Sequence, residues 1–314
     1  MSFKRFLSHA SLLLLPFLSL HSQETDNVYR LKGFRNPVYY DAVKPVEKGD
    51  KGELVAVMIH GWGGGMRFLP EQESLEESLK GVYVIAPRFP RVPVMKKKGV
   101  VDDRPHWNDN YDANIVSPSQ ALDDWRGGGD ADGFRFSSFD VVDRIFSILG
   151  NRRLYPNLKR VVLVGYSAGG QFVSRYVAVG KGVVRDGVEI RYVSMAASTY
   201  LNLNDDVPWL YGLADRPRYC AGMTRQQILA NLAERKAFYA CGELDSVNGS
   251  TDKRAPAMLQ GPGRIERLHH LEEHMSQYPE WRRMSTFHVI PGIAHNAVKA
   301  YKDPVFLKFV FENQ

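Results

Sequence analysis

Short apolar runs rich in valine recur along the chain, and each has the length and composition of a strand that is buried on both faces. One of them, residues 53–59, reads Glu-Leu-Val-Ala-Val-Met-Ile and ends at a glycine-rich loop. An alternating pattern over residues 27–40 predicts an antiparallel hairpin that precedes these runs. We predict buried strands over residues 53–59, 82–86, 160–164, 188–195, 236–240 and 286–290.

Segments with the features of helices separate these strands. Residues 137–149 are amphipathic and open with a serine cap, and Thr224 begins a capping box that ends at Gln227. We predict helices over residues 137–149, 171–177, 224–234 and 252–275, and a closing helix that begins near Pro304. This alternation predicts an α/β fold with a mostly parallel central sheet and helices on both of its faces.

Two long stretches lack such patterns, and we interpret them as irregular cap loops over residues 88–136 and 198–223. Irregular stretches of this length inside a compact domain are usually lids or binding loops. Trp107, Tyr111 and Trp125 in the first stretch can stack on a substrate or can form the small core of the cap. The sequence leaves both interpretations open, and we treat the three residues as candidate substrate contacts.

The strand predicted at residues 160–164 runs directly into the sequence Gly-Tyr-Ser-Ala-Gly, with Ser167 at its centre. A serine on a sharp turn between a strand and a helix is held in a strained conformation that exposes its Oγ at the helix N-terminus. The strand and the helix can approach closely only if the flanking residues are small, as Gly165, Gly169 and Gly170 are. We therefore interpret Ser167 as a catalytic nucleophile rather than as part of a turn that only packs.

A serine needs a histidine base to attack at neutral pH, and the histidine needs a carboxylate to fix its tautomer. Both residue types follow the last two predicted strands, as Asp245 and His295. Catalytic groups of open parallel sheets gather at the carboxyl ends of the strands. We therefore expect Ser167, Asp245 and His295 to meet at one edge of the sheet, with Glu243 as the alternative acid.

The chain resembles the α/β-hydrolase superfamily and, more narrowly, the exported bacterial serine esterases and the polyhydroxybutyrate-depolymerase-like hydrolases. The resemblance covers nearly all of the chain after its N-terminal segment. Five segments carry the resemblance. They are the glycine-rich loop at residues 60–64, the Trp-Arg-Gly-Gly segment at 125–128, the serine turn at 165–170, the loop with the acid at 242–245 and the loop with the base at 292–295. The order serine, aspartate, histidine is the order that α/β-hydrolases use.

The resemblance implies that Ser167 attacks an acyl carbon, that His295 transfers the proton and that Asp245 orients His295. The Gly-x-x-Asp spacing after the strand matches the family pattern and favours Asp245 over Glu243. These roles predict an enzyme that hydrolyses a small-molecule or polymeric carboxylic ester. A serine peptidase or amidase is one alternative, because the same triad cleaves amides. A hydrolase-like binding protein without catalytic activity is a second alternative, from outside the class of enzymes.

The resemblance also implies an oxyanion hole formed by two backbone N–H groups, that of Ala168 and one from the loop His60-Gly61-Trp62, which we assign to Trp62. Tyr166, next to the serine, is a further candidate substrate contact. The chemistry of such a triad requires no cofactor, and we expect none.

Two other features of the sequence carry less weight. His270 and His274 are four residues apart and would share a helix face, as metal ligands can. No third candidate ligand lies at a spacing typical of metal sites, and the acidic residues between the two histidines indicate a solvated face, so we expect no metal site.

The run Lys96 to Lys98 has no recognisable nucleic-acid motif around it, and we expect no nucleic-acid partner.

The N-terminus has the features of a secretory signal. Lys4 and Arg5 precede an apolar run that reaches Leu20, and Ser22 offers a small residue for cleavage. The run is too short to span a bilayer, so we expect no stable membrane anchor after cleavage. We predict a signal peptide over residues 1–22 and a single exported domain, periplasmic or secreted, over residues 23–314.

The chain of 314 residues contains two cysteines, Cys220 and Cys241. In an oxidising compartment they can form one disulfide, and two free buried thiols are the alternative. The sequence favours neither possibility, and it leaves the oligomeric state open.

We expect export to remove about the first 22 residues, because a basic start followed by an apolar run is the pattern that signal peptidases process. N-terminal sequencing of periplasmic or secreted material will check this expectation. Mature protein that still begins at Met1 would contradict it.

Overall fold

The computed structural model describes residues 27–62, 70–91, 104–107, 123–246 and 250–312. Its strands are β1 Val28–Leu31, β2 Val38–Ala42, β3 Leu54–Ile59, β4 Tyr83–Pro87, β5 Arg160–Tyr166, β6 Glu189–Met195, β7 Lys236–Gly242 and β8 Ser285–Ile290. They form one 8-stranded sheet in the order β1-β2-β4-β3-β5-β6-β7-β8. β1 and β2 add antiparallel at one edge, and every pairing from β4 to β8 is parallel. The sheet is therefore mostly parallel, as predicted.

Helices cover this sheet. They are α1 Pro70–Ser78, α2 Ser138–Leu149, α3 Ala168–Val179, α4 Arg225–Glu234, α5 Ala255–Met258, α6 Arg264–Ser276, α7 Pro279–Arg283, α8 Ala297–Ala300 and α9 Pro304–Phe311. Every position of β3 and β5 after the first is buried, which requires cover on both faces of the sheet. No helix in the described ranges is long and apolar enough to cross a membrane.

The predicted strands and the opening hairpin are confirmed, with ends that differ by one or two residues. Both predicted caps are present, because the side chains of Ser137 and Thr224 each accept a hydrogen bond from a backbone N–H in the first turn of their helix. The single helix expected over residues 252–275 is wrong. The chain forms α5 and α6 instead, because Gly261 has a φ of 127° and Pro262 has no N–H to continue a helix.

Buried arginines hold the irregular loop over residues 198–223. Arg175, in the middle of α3, donates hydrogen bonds to the backbone carbonyl of Leu210. Arg267 of α6 donates to the backbone carbonyl of Ser198. Both arginine side chains are fully buried, so these contacts satisfy loop carbonyls that water does not reach.

The two cysteines are free, buried thiols, which corrects the disulfide considered from the sequence. Cys241 lies inside β7, beside Asp245 and Arg264, whereas Cys220 lies in a turn beside Arg216. Burial raises the pKa of the Cys220 thiol to about 12 and raises that of Cys241 further. Both side chains therefore serve as small apolar groups of the core.

The glycines around the serine turn allow β5 and α3 to lie against the neighbouring strands. A Cβ atom on Gly169 would collide with the backbone carbonyls of Ile59 and His60, and one on Gly170 would collide with the backbone of Met195. Gly165 and Gly169 are themselves in close contact. The small residues that the sequence indicated are thus required by close backbone approach.

We expect Gly169→Ala to lower the free energy of unfolding by about 1–3 kcal/mol, because the added methyl must displace backbone rather than a flexible side chain. Gly222→Ala is the matched control, since a Cβ at Gly222 meets no atom within 4 Å. The control should change the free energy by less than about 0.5 kcal/mol. Urea unfolding of both variants measures the difference, and equal stabilities would contradict the expectation.

Candidate active site

Ser167 occupies the turn between β5 and α3 in a backbone conformation that side chains rarely adopt, with φ 57° and ψ −116°. Its backbone N–H donates to the carbonyl of Met195 at 2.9 Å, which ties the turn to the end of β6. The first N–H groups of a helix have no acceptor within the helix, and Ala168 is the first residue of α3. The turn therefore presents a serine Oγ beside helix N–H groups, as predicted.

Three loops at the carboxyl ends of β5, β7 and β8 bring Ser167, Asp245 and His295 together. His295 Nε2 lies 3.1 Å from Ser167 Oγ. His295 Nδ1 lies 2.6 Å from Asp245 Oδ2. Both distances fall within hydrogen-bonding range, so one continuous chain of hydrogen bonds links the serine hydroxyl to the carboxylate.

The two candidate acids have different surroundings. Asp245 is 1% exposed, and its second oxygen, Oδ1, accepts a hydrogen bond from Arg264 at 3.1 Å. Glu243 is exposed, and its carboxylate accepts a hydrogen bond from the backbone N–H of Gly292 at 2.8 Å. The geometry therefore joins Asp245 to His295 and gives Glu243 a role in holding the loop after β8.

Trp62, the expected oxyanion-hole residue, is held in position by two arginines. Arg91 donates to the Trp62 carbonyl at 2.8 Å, and its guanidinium lies 3.9 Å from the centroid of the indole ring. The guanidinium of Arg126 lies 4.9 Å from the same ring. Arg126 is itself fixed by a buried ion pair with Asp124. These contacts hold the indole ring and the carbonyl of Trp62, a residue that lines the same cleft as Ser167.

The side chain of His60 also holds the loop that contains Trp62. Its Nδ1 lies 2.7 Å from the Gly61 carbonyl, and its Nε2 accepts a hydrogen bond from the backbone N–H of Phe89 at 3.1 Å. Burial lowers the pKa of His60 to about 4, so the imidazole is neutral at neutral pH. Both ring nitrogens are engaged with backbone, which makes His60 a structural brace rather than a second base.

A cleft of about 360 Å³ lies beside Ser167 and His295. Its described walls come from the ends of β3 and β5, the start of α1, α8 and the loops around them, and they include Met58, Gly61, Trp62, Pro70, Glu71, Tyr166, Ser250, Ala297 and Tyr301. Most of these groups are apolar or aromatic, and Glu71 is the one carboxylate among them. The serine hydroxyl therefore faces a space with room for part of an organic substrate.

Two of the candidate substrate contacts belong to the core instead. Trp107 and Trp125 are fully buried, which corrects their interpretation as stacking surfaces and favours the cap-core alternative. Trp107 donates to the carbonyl of Gly129 at 2.9 Å, and Trp125 stacks on Phe89 with 5.6 Å between ring centroids. Tyr111 lies outside the described residues.

Tyr166 does line the cleft. Its ring centroid lies 5.0 Å from that of His295, and the side chain is 6% exposed. The ring therefore limits the movement of the imidazole on the cleft side. Its candidacy as a substrate contact remains a prediction.

His270 and His274 contact the cap loop. The side chain of His270 lies 3.1 Å from that of Asn202, and His274 Nε2 accepts a hydrogen bond from the backbone N–H of Leu203 at 2.9 Å. Burial lowers the pKa of His274 to about 4. Within the described ranges, no group of three or more histidine, cysteine, aspartate or glutamate side chains is arranged to hold a metal ion.

Sequence reasoning missed Arg264, Arg91 and Glu71. Arg264 falls inside the helix predicted over residues 252–275, where nothing distinguishes it from a surface arginine. Arg91 and Glu71 carry no motif at all. Arg126 lies in the Trp-Arg-Gly-Gly segment, which could have directed attention to it, although the pattern does not indicate its contact with Trp62.

No family model matches the chain, and no curated protein matches it. Solved structures do match. Poly(aspartic acid) hydrolase-1 from Sphingomonas sp. KT-1 has a TM-score of 0.65 at 19% identity, over 91% of this chain and 98% of that chain. LpqC, a poly(3-hydroxybutyrate) depolymerase from Bordetella parapertussis, has a TM-score of 0.59 at 18% identity, over 88% of this chain and 84% of that chain.

Identities this low establish a shared architecture and leave substrates undetermined. Both similar structures are hydrolases of the α/β class, and the match extends over most of this chain. The mostly parallel sheet and its helices agree with that match. We conclude that this chain has the α/β-hydrolase fold.

Proposed function

We propose that this protein is an exported serine hydrolase that cleaves a carboxylic ester through an acyl-enzyme intermediate. The observation that carries the proposal is the chain of hydrogen bonds from Ser167 through His295 to Asp245. A serine, a neutral imidazole acceptor and a buried carboxylate in this order are the parts that nucleophilic acyl transfer requires. The similar hydrolases support the same class of reaction.

In the first half of the proposed reaction, Ser167 Oγ attacks the ester carbonyl carbon while His295 Nε2 takes the hydroxyl proton. Asp245 accepts the hydrogen bond from His295 Nδ1 and stabilises the imidazolium that forms. The backbone N–H groups of Trp62 and Ala168 donate to the negative oxygen of the tetrahedral intermediate. The intermediate collapses, the alcohol leaves with the proton from His295, and the acyl group stays on Ser167.

In the second half, a water molecule attacks the acyl-enzyme, and His295 takes one of its protons. The second tetrahedral intermediate expels Ser167 Oγ, which recovers the proton from His295. The carboxylic acid product then leaves the cleft. The apolar and aromatic walls of the cleft suit an uncharged ester portion, and no cofactor enters either half.

Cleavage of an amide is the second candidate. One similar structure is named for poly(aspartic acid) and the other for a polyester, so the fold alone does not separate the two bonds. A comparison of matched aryl esters and anilides, extended to acetyl and feruloyl sugars, polyesters and peptides, distinguishes them. Faster turnover of the ester in each pair is the result that we expect.

We expect Ser167→Ala to reduce ester hydrolysis by at least about 1,000-fold and to abolish labelling by a fluorophosphonate probe, because the attacking oxygen is gone. Ser174→Ala is the matched control, since that buried hydroxyl lies on the same helix and donates a hydrogen bond to the carbonyl of Gln171 at 2.9 Å. Both variants should keep the circular dichroism spectrum of the parent. Wild-type protein that neither reacts with the probe nor hydrolyses any ester would favour a silent binding protein.

We expect Asp245→Asn to slow turnover by up to about 10⁴-fold, because an amide holds His295 in the wrong tautomer. Glu243→Gln should stay near the wild-type rate, because that carboxylate faces the backbone N–H of Gly292 rather than the imidazole. Steady-state kinetics on one aryl ester compares the two. A larger loss in Glu243→Gln would mean that the acid is assigned to the wrong carboxylate.

A further inference from the structure

We infer that Arg264 is a positioning residue of the catalytic site, which extends the hydrogen-bonded chain to Ser167–His295–Asp245–Arg264. The inference rests on the proposed function. Arg264 Nη1 donates to Asp245 Oδ1 at 3.1 Å, while His295 occupies Oδ2 at 2.6 Å. The carboxylate is thus held on one oxygen by the base and on the other by a guanidinium.

The contact between Arg264 and Asp245 is important because both side chains are buried. The side chains of Asp245 and Arg264 are both 0% exposed. Removing an ionised carboxylate from water is costly, and a hydrogen-bonded cation offsets that cost. Arg264 brings its guanidinium to the Asp245 oxygen that His295 does not contact.

The backbone around Arg264 also positions the acid. Arg264 is the first residue of α6, and the backbone N–H of Ile265 donates to the Asp245 carbonyl at 3.3 Å. The N-terminus of α6 therefore contacts the same residue through the main chain. The guanidinium also donates to Ser250 Oγ at 2.8 Å, and Ser250 lines the cleft. One arginine thus joins the acid to the cleft wall.

The test compares Arg264→Gln with Arg264→Lys in kcat and KM for an aryl ester. We expect Arg264→Gln to lower kcat by about 10- to 100-fold with little change in KM, since a displaced base misaligns the reacting atoms. Arg264→Lys should recover part of kcat, because lysine keeps the charge but cannot bond Asp245 and Ser250 with the same fork.

Arg267→Gln is the matched control. Arg267 lies on α6 one turn later, is fully buried, and donates to the backbone carbonyls of Gly261 and Asp252 at 2.7 and 2.6 Å. A purely structural loss should resemble this control, which should unfold more easily while its kcat stays near the wild-type value. An Arg264→Gln protein that is folded and has the wild-type kcat overturns the inference.

If Arg264→Gln does not fold, a measurement of thermal stability tests the inference instead. Asp245→Asn leaves the arginine as an unpaired buried charge, and the double variant Asp245→Asn/Arg264→Gln removes both charges. The double variant should therefore melt at a higher temperature than Asp245→Asn alone, and a lower or equal melting temperature overturns the inference. This comparison needs no activity, so it remains readable even if wild-type protein hydrolyses no ester and the proposed function fails.

Discussion

A carboxylate with no access to water constrains the edge of the sheet at which the candidate site lies. A buried carboxylate needs partners for both of its oxygens, and His295 and Arg264 each satisfy one oxygen of Asp245. The base comes from the loop after β8 and the arginine from the start of α6, so both elements must meet the loop after β7 at fixed positions. Orientation of the imidazole toward the serine follows from this arrangement.

The turn at Ser167 has a strained backbone. A non-glycine residue at φ 57° and ψ −116° costs on the order of 1–3 kcal/mol, which the surrounding structure must offset. Close packing supplies that offset, because α3 lies against β5 and β6 at distances that only Gly165, Gly169 and Gly170 permit. The hydrogen bond from Ser167 to Met195 fixes the turn at the same point. Strain at one residue is thus sustained by a large buried contact that has no part in the chemistry.

Sequence reasoning succeeds where a signal is local and fails where a role depends on folding. Ser167, Asp245 and His295 each follow a valine-rich or apolar strand, so their meeting could be predicted before any contact was known. Arg264 could not be found in this way, because its role depends on the break at Pro262 that makes it the first residue of a helix. The tryptophans at 107 and 125 were ambiguous for another reason, since stacking on a substrate and packing in a core require the same side chains.

The irregular loops follow a different rule from the strands of the sheet. Irregular backbone leaves carbonyl groups that need donors, and buried arginines provide them, as Arg175 does for Leu210 and Arg91 does for Trp62. Burial lowers the pKa of both arginines because desolvation opposes their charge, a cost that the carbonyl contacts partly offset. Ser167, Asp245 and His295 therefore follow the ends of regular strands, while the irregular segments at Leu210 and Trp62 are held by guanidinium hydrogen bonds. Such segments can change in sequence without moving these three residues, and the fold alone therefore does not identify a substrate.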